Sequence, residues 1–437
     1  MSALRSRRVQ FAGLLMLSSG MPLGIVMNTI QVFLRGAGVS LKTIGLLQVV
    51  SIPWSFKFLW APLVDRFSLP WLGRRRGWIA AMQLALTASL GGLAAYVARH
   101  LVPGPAGHDV LTAGAATGVA LLALAIAFFS ATQDIAISAW RIEIAKSPDE
   151  LGLLTSANTI GYRVALLCTD SLILVSAQHL GWPLSYTICG VAMGIGLIAS
   201  LIVREPERAE AVMAQKEKEK PLWTPRGFFD AVAGPFIIFF KTHGAAALLM
   251  LLAISLYRLP DFMRGPITNP FFHDLGVTKD VIGTARATVG LAAIFAGVAA
   301  GGFFCLQLGY MRALMLGAVL QSIGIFAQAV LTVNHDVPAF LAVMAIDDFG
   351  ISVAGVTLVA YMSSLTSLGY TATQYALLSS AYALAGKFLK GFSGLIVEGL
   401  TPHFGLMNAY ALFFIASGVI GVPSLALFAF LGRKQPP

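Results

Sequence analysis

Charge is scarce in this 437-residue chain: Asp, Glu, Lys and Arg together make up 11% of it. A water-soluble domain needs a charged shell. With 57% hydrophobic residues and a mean hydropathy of +0.79, nothing is left to build one. Cysteine is rare too. Cys168, Cys189 and Cys305 stand apart inside apolar runs without CxxC spacing, which excludes a disulfide scaffold and a thiolate metal site. No P-loop, dinucleotide fingerprint or Gly-x-Ser-x-Gly elbow is present, and the 7 histidines are scattered without metal spacing. Catalysis therefore has no support, and neither a cofactor nor a nucleic-acid partner is expected. Strand-period alternation is also missing, which excludes an outer-membrane barrel.

What the chain has in quantity is continuous apolar sequence. A spanning helix needs roughly 20 mainly apolar residues. Spans are read at 10–34, 42–64, 77–99, 115–142, 152–178, 182–203, 243–270, 278–306, 310–332, 338–366, 371–397 and 404–431. The fold class is an all-α polytopic membrane protein with about a dozen helices. Its 44 glycines suit helices that pack backbone to backbone. Arg5, Arg7 and Arg8 precede an apolar run with no Ala-x-Ala cleavage site, so the run reads as an uncleaved first span. Arg66, Arg74–Arg76, Arg141, Lys146, Arg204, Arg208 and Arg312 fall on one side of the predicted spans. Arg35, Lys42, Arg99 and Lys279 fall on the other. This asymmetry predicts both termini in the cytoplasm.

The longest polar stretch, Arg204 to Asp230, divides the spans into equal halves and reads as a solvated linker. The expected organisation is a bundle over 1–203, a linker with an interfacial segment over 204–242, and a second bundle over 243–437. The halves echo each other. Met21-Pro22 … Gly38-Val-Ser-Leu-Lys-Thr-Ile-Gly45 matches Leu259-Pro260 … Gly276-Val-Thr-Lys-Asp-Val-Ile-Gly283, and Asp134-x-x-Ile137-Ser138 recurs as Asp348-x-x-Ile351-Ser352. A duplicated six-helix unit around a central cavity describes a rocking-bundle transporter of the major facilitator type.

Ionisable groups at membrane depth are costly and mark function. The bases within spans are Lys57, Arg163, Arg258, Arg264, Arg286, Lys387 and Lys390; the acids are Asp134, Asp170, Asp261, Asp347 and Asp348. Bases outnumber acids, so an anionic solute is expected. Asp134, Asp348 and Asp347 are the candidate proton-coupling groups, because desolvation and a nearby base pull a carboxyl's proton affinity in opposite directions. Lys57, Gln133, Ser138, Trp140, Arg163, Tyr257, Arg258, Asp261, Lys387 and Lys390 are the candidate solute-binding residues. Each has a plainer reading. Arg258 and Asp261, three apart on a helix, neutralise each other; Lys57 snorkels to the interface; the aromatics pack helices or anchor at the interface. Asp65, Arg66, Arg74, Arg75 and Arg76, with Arg141 and Glu143, form a candidate cytoplasmic charge latch.

The stretches Lys57-Phe-Leu-Trp-Ala-Pro-Leu-Val-Asp65, Gly73-Arg-Arg-Arg-Gly-Trp78, Ala131-Thr-Gln-Asp134 and Gly161-Tyr-Arg163 together resemble the AmpG-type muropeptide permeases. So do Arg258-Leu-Pro-Asp261, Thr268-Asn-Pro-Phe271 and Tyr370-Thr-Ala-Thr-Gln-Tyr-Ala-Leu-Leu-Ser379. The resemblance spans essentially the whole chain and implies proton-driven import of anhydro-muropeptides across a bacterial inner membrane for cell-wall recycling; a monomer is expected. Distant relatives are proposed to carry acetyl-CoA, which leaves an exchanger or uniporter for an acyl-CoA as an alternative. A non-transporting membrane sensor or scaffold is the alternative from another class. The family pattern has a second Asp one turn after the first; here that position is Ser138.

Overall fold

The computed structural model describes residues 7–39, 43, 47–69, 72–104, 109–112, 114–219, 221, 224–334 and 336–434. Arg5 and Lys42 lie outside the described residues, as do the side chains of Asp170 and Lys279. Among the described residues, eight helices are long and apolar enough to cross a membrane. They include Arg74–His100, Ala115–Ile144, Ala246–Asp274 and Val337–Ser364. The only strands among the described residues are Leu101–Pro103 and Asp109–Leu111, which pair antiparallel with Val102 opposite Val110.

Several helices are interrupted where the sequence requires it. The helix Leu291–Val330 turns at Gly309, whose φ of 75° and ψ of 165° suit a residue without a Cβ. That turn falls between the sequence spans 278–306 and 310–332. The second sequence span is present as short pieces, Leu47–Ser51, Ile52–Phe56, Lys57–Leu59 and Ala61–Arg66. Widened π turns occur at Ile25–Thr29, Cys168–Leu172 and Arg286–Gly290. Such turns often mark functional positions. Two of them meet, with the Thr29 hydroxyl donating to the Thr169 carbonyl at 3.5 Å.

The chain packs as two compact units. One holds the described residues of Met1–Lys146, Ala157–Phe236 and Ser367–Leu377. The other holds those of Ser147–Ser156, Ile237–Thr366 and Leu378–Pro437. In the first unit Phe33, Leu86, Leu90, Ile126 and Tyr186 form a buried apolar core. In the second, Met263, Phe271, Ile325, Phe340 and Phe413 do the same. Close backbone approach at glycine holds each together: a Cβ on Gly161 would lie 2.1 Å from the Gly13 carbonyl oxygen, and one on Gly297 2.5 Å from that of Phe349. Large apolar side chains, among them Leu121, Val191, Ile198, Phe303 and Leu395, are exposed on these helices.

The region between the two sequence halves is more ordered than a solvated linker. Glu207–Glu219 is a helix with acids in its first turn and lysines in its last, the arrangement its dipole favours. It buries Ala209 and Met213. The mixed charges that suggested full solvation are partly turned inward, against arginines of the first unit.

Candidate transport and gating site

The first unit contains a dense charge cluster at the Arg74 end of the Arg74–His100 helix. Asp65 closes the short helix Ala61–Arg66 and is fully buried. Arg75 Nη2 donates to Asp65 Oδ1 at 2.7 Å, and Arg75 Nε donates to Glu143 Oε2 at 2.9 Å. Arg74 Nη2 donates to the same Glu143 oxygen at 3.2 Å. Asp65 also accepts from the start of the Thr371–Leu389 helix: Ala372 N–H at 3.0 Å, Thr373 N–H at 2.8 Å and the Thr373 hydroxyl at 2.7 Å. A carboxylate there satisfies helix-end donors and meets the positive end of the dipole. Burial alone would raise the Asp65 pKa; Arg75 and Arg74, with the bonds from Arg75 and Thr373, hold it below the ordinary value.

Further acids come from beyond the sixth predicted span. Glu205 accepts the backbone N–H of Arg75 and, at 3.1 Å, that of Arg76, and so caps the helix that Gly73 (φ 83°) initiates. Burial pushes the Glu205 pKa up against these bonds, and neighbouring Glu210 pushes it the same way. Glu210 accepts from Arg74 Nε at 2.9 Å, and Glu217 lies 3.5 Å from Arg66. Arg76 Nε donates to the Ser200 carbonyl at 3.1 Å. Arg141 is buried, with its guanidinium 5.7 Å from the Tyr375 ring centre. The latch candidates therefore converge, and they recruit Glu205, Glu210, Glu217 and Thr373, which sequence reasoning missed. Acids directly after an apolar span were the available signal for the first two.

A second group lies on the helix Ala115–Ile144. Lys57, buried in a 3₁₀ turn, places Nζ 2.6 Å from Asp134 Oδ2. Lys57 is thus drawn inward to a carboxylate rather than snorkelling away from one. Trp60 Nε1 donates to Thr132 Oγ1 at 3.0 Å nearby. On the same helix Gln133 is fully buried, its Nε2 3.4 Å from Ser18 Oγ, which also accepts from Gln83 at 2.6 Å. Trp140 is buried and donates to the Arg204 carbonyl at 2.9 Å. Gln133 and Trp140 thus sit in helix packing, and Ser138 is buried with them. Arg163 is half-buried and forms no ion pair among the described residues; its Nε is buried without a hydrogen-bond partner.

The second unit holds the other candidates. Arg258 pairs with Asp261, and Arg264 with both Asp261 and Asp347. Asp347 is buried, whereas adjacent Asp348 is half-buried and lies against the Arg286–Gly290 turn: a Cβ on Gly290 would come 2.8 Å from its Oδ2. Tyr257 is buried, its hydroxyl 3.2 Å from both the Leu314 carbonyl and Thr357 Oγ1, an ordinary packing role. Lys387 is half-buried and Lys390 exposed, on the end of one helix and the turn that follows.

Known proteins match this chain along nearly its whole length. A Rickettsia felis protein named putative transporter AmpG 4 is 31% identical over 425 residues, covering 95% of this chain and 94% of the relative. The chain belongs to the AmpG family. The Escherichia coli K12 anhydromuropeptide permease is 29% identical, over 94% of this chain and 77% of its own. A family described as acetyl-coenzyme A transporter 1 matches residues 10–179. Among solved structures, the proton:xylose symporter XylE superposes with a TM-score of 0.67 at 15% identity, covering 98% of this chain and 94% of its own. The human organic anion transporter MFSD10 gives 0.65 at 14% identity, covering 97% and 99%. The fold is that of the major facilitator superfamily. This AmpG-family chain is a multi-pass membrane transporter for a small solute, and a permease rather than an enzyme.

Proposed function

We propose that this AmpG-family transporter resides in the bacterial inner membrane as a monomer of twelve spans with both termini in the cytoplasm. It imports an anionic solute, most directly an anhydro-muropeptide, coupled to protons by alternating access. The observation that carries the reading is the Lys57–Asp134 pair at 2.6 Å within apolar sequence. When a solute anion takes the Lys57 ammonium, Asp134 is left without its counter-ion, and a proton entering with the solute supplies the missing charge. Solute and proton then enter together. The Asp65–Arg75–Glu143 network serves as the cytoplasmic gate, its bonds made in one state and broken in the other.

A second reading has two observations in its favour. The acetyl-coenzyme A transporter family matches residues 10–179, and Ser138 stands where the AmpG pattern has its second acid. One titrating group fewer suits an exchanger of a phosphorylated anion. Uptake of labelled anhydro-muropeptide and of labelled acetyl-CoA into vesicles containing the protein separates them. The first reading predicts muropeptide accumulation that needs a pH gradient. Gradient-independent exchange of acetyl-CoA without muropeptide uptake overturns it.

A further inference from the structure

The second unit carries a row of alternating charges. Arg258 Nη2 donates to Asp261 Oδ2 at 2.7 Å, Arg264 Nη2 reaches Asp261 Oδ1 at 3.4 Å, and Arg264 Nη1 donates to Asp347 Oδ2 at 2.6 Å. Gln328 Nε2 donates to the same Asp347 oxygen at 2.9 Å. Two guanidinium groups thus face two carboxylates, with Asp348 also close enough to act on Arg264, and the ends of the row differ. The Arg264 and Asp347 side chains are 11% and 9% exposed, whereas those of Arg258 and Asp261 are 21% and 23% exposed. The inner pair is also fixed by packing, since the Asp347 backbone lies against Gly324, where a Cβ would come 2.7 Å from its Cα.

The outer pair is built to exchange. Asp261 divides its oxygens between two arginines, so it can leave Arg258 and remain paired with Arg264. Pro260 stands between them in sequence; without an N–H it breaks the helical bonding of that turn, where the backbone must adjust most easily. A guanidinium presents a planar fork that fits both oxygens of one carboxylate, and Asp261, shared as it is, does not fill that fork.

We propose that Arg258 is the receptor for a carboxylate of the transported solute and that Asp261 is its displaceable internal counter-ion, passed to Arg264 when the solute binds. This rests on the reading of the chain as an importer of an anionic solute and names the group that reads the anion. The swap exchanges one carboxylate for another at Arg258, while Asp261 keeps Arg264 as its partner. An amide or ester cannot complete it, because it brings no charge to replace Asp261. The site therefore discriminates by ionisation and not by size.

The test is the rate at which phenylglyoxal modifies Arg258 in the full-length protein, read by mass spectrometry. The probes are an N-acetylated dipeptide with a free C-terminal carboxylate and the same dipeptide as its C-terminal amide. The free acid should slow modification in the wild type and the amide should not. In Asp261→Asn modification should be faster, and the acid should protect at concentrations at least about 3-fold lower. Equal protection by acid and amide, or none by either, overturns the proposal. The wild-type comparison needs no variant and holds whether or not Asp261→Asn folds. Protection by the acid dipeptide without muropeptide transport would overturn the muropeptide reading alone. Muropeptide transport without carboxylate-dependent protection would overturn this inference alone.

Discussion

Lys57 Nζ lies 2.6 Å from Asp134 Oδ2, joining residues 77 apart in sequence, with side chains only 8% and 19% exposed. Removing one partner leaves the other as an uncompensated charge in apolar surroundings, which costs about 3–5 kcal/mol for a buried pair. Lys57→Met and Asp134→Asn should each lower the melting temperature in detergent. Lys57→Met/Asp134→Asn should recover part of the loss, with a coupling of about 1–3 kcal/mol. Additive losses in the double variant would show that the pair is not a unit.

Asp65 and Glu205 sit in one cluster, yet their stabilities should depend on pH with opposite sign. Asp65 has a lowered pKa in the folded protein, so its contribution is full above the ordinary carboxylate value of about 4 and fades as pH falls through the lowered one. Glu205 has a raised pKa, so the folded state binds its proton more tightly, and stability rises as pH falls through the raised value. Melting curves against pH check both. Asp65→Asn should be destabilised at neutral pH, and Glu205→Gln should lose the gain seen on mild acidification. Parallel pH profiles for wild type and Glu205→Gln would contradict the assignment.

The helix Glu207–Glu219 is docked through its charges. Lys216 Nζ lies 3.1 Å from the Tyr370 ring centre, and the Tyr370 hydroxyl donates to Asp230 Oδ2 at 3.0 Å. Tyr370→Phe keeps the ring and loses the hydroxyl bond, worth about 1 kcal/mol. Tyr370→Ala loses both contacts. Limited proteolysis within 207–219 should therefore quicken in Tyr370→Ala, which loses the ring against Lys216, and stay near wild type in Tyr370→Phe, which loses only the bond to Asp230. Cleavage of Tyr370→Ala at the wild-type rate would mean the helix is held by other contacts.

Gly161→Ala would place a methyl 2.1 Å from the Gly13 carbonyl oxygen, a backbone atom that cannot yield without moving a helix. It should abolish correct packing and transport together. Gly92→Ala meets only Leu122 Cδ2 at 3.7 Å, within a helix where alanine is favoured over glycine by up to about 1 kcal/mol. It should be neutral or stabilising, as read by the monodisperse fraction after solubilisation. Comparable behaviour of the two variants would remove the argument from close approach.

The fold class was legible because bilayer crossing imposes a long apolar period; the clustering of Asp65 with Arg74 and Arg75 was suggested by a carboxylate beside arginines that anchoring alone would also explain. What the sequence hid was partnership. Composition alone could not show that Lys57 turns toward Asp134, since a lysine near a span end also suits the interface. Gln133 and Trp140 looked like site residues because they are polar or aromatic on the helix that bears Asp134; rotation of that helix buries them against Ser18 and the Arg204 carbonyl. The helix Glu207–Glu219 was hidden for the opposite reason. Its alternating charges look solvated until Arg66 and Arg74 appear beside Glu217 and Glu210.

The coupling role of Asp134 is tested most directly in proteoliposomes carrying wild type or Asp134→Asn, with labelled anhydro-muropeptide and an imposed pH gradient, acid outside. Wild type should accumulate the solute against its concentration gradient and lose that accumulation when the pH gradient is collapsed. Asp134→Asn should insert normally and accumulate none. Full gradient-driven accumulation by Asp134→Asn would contradict the account.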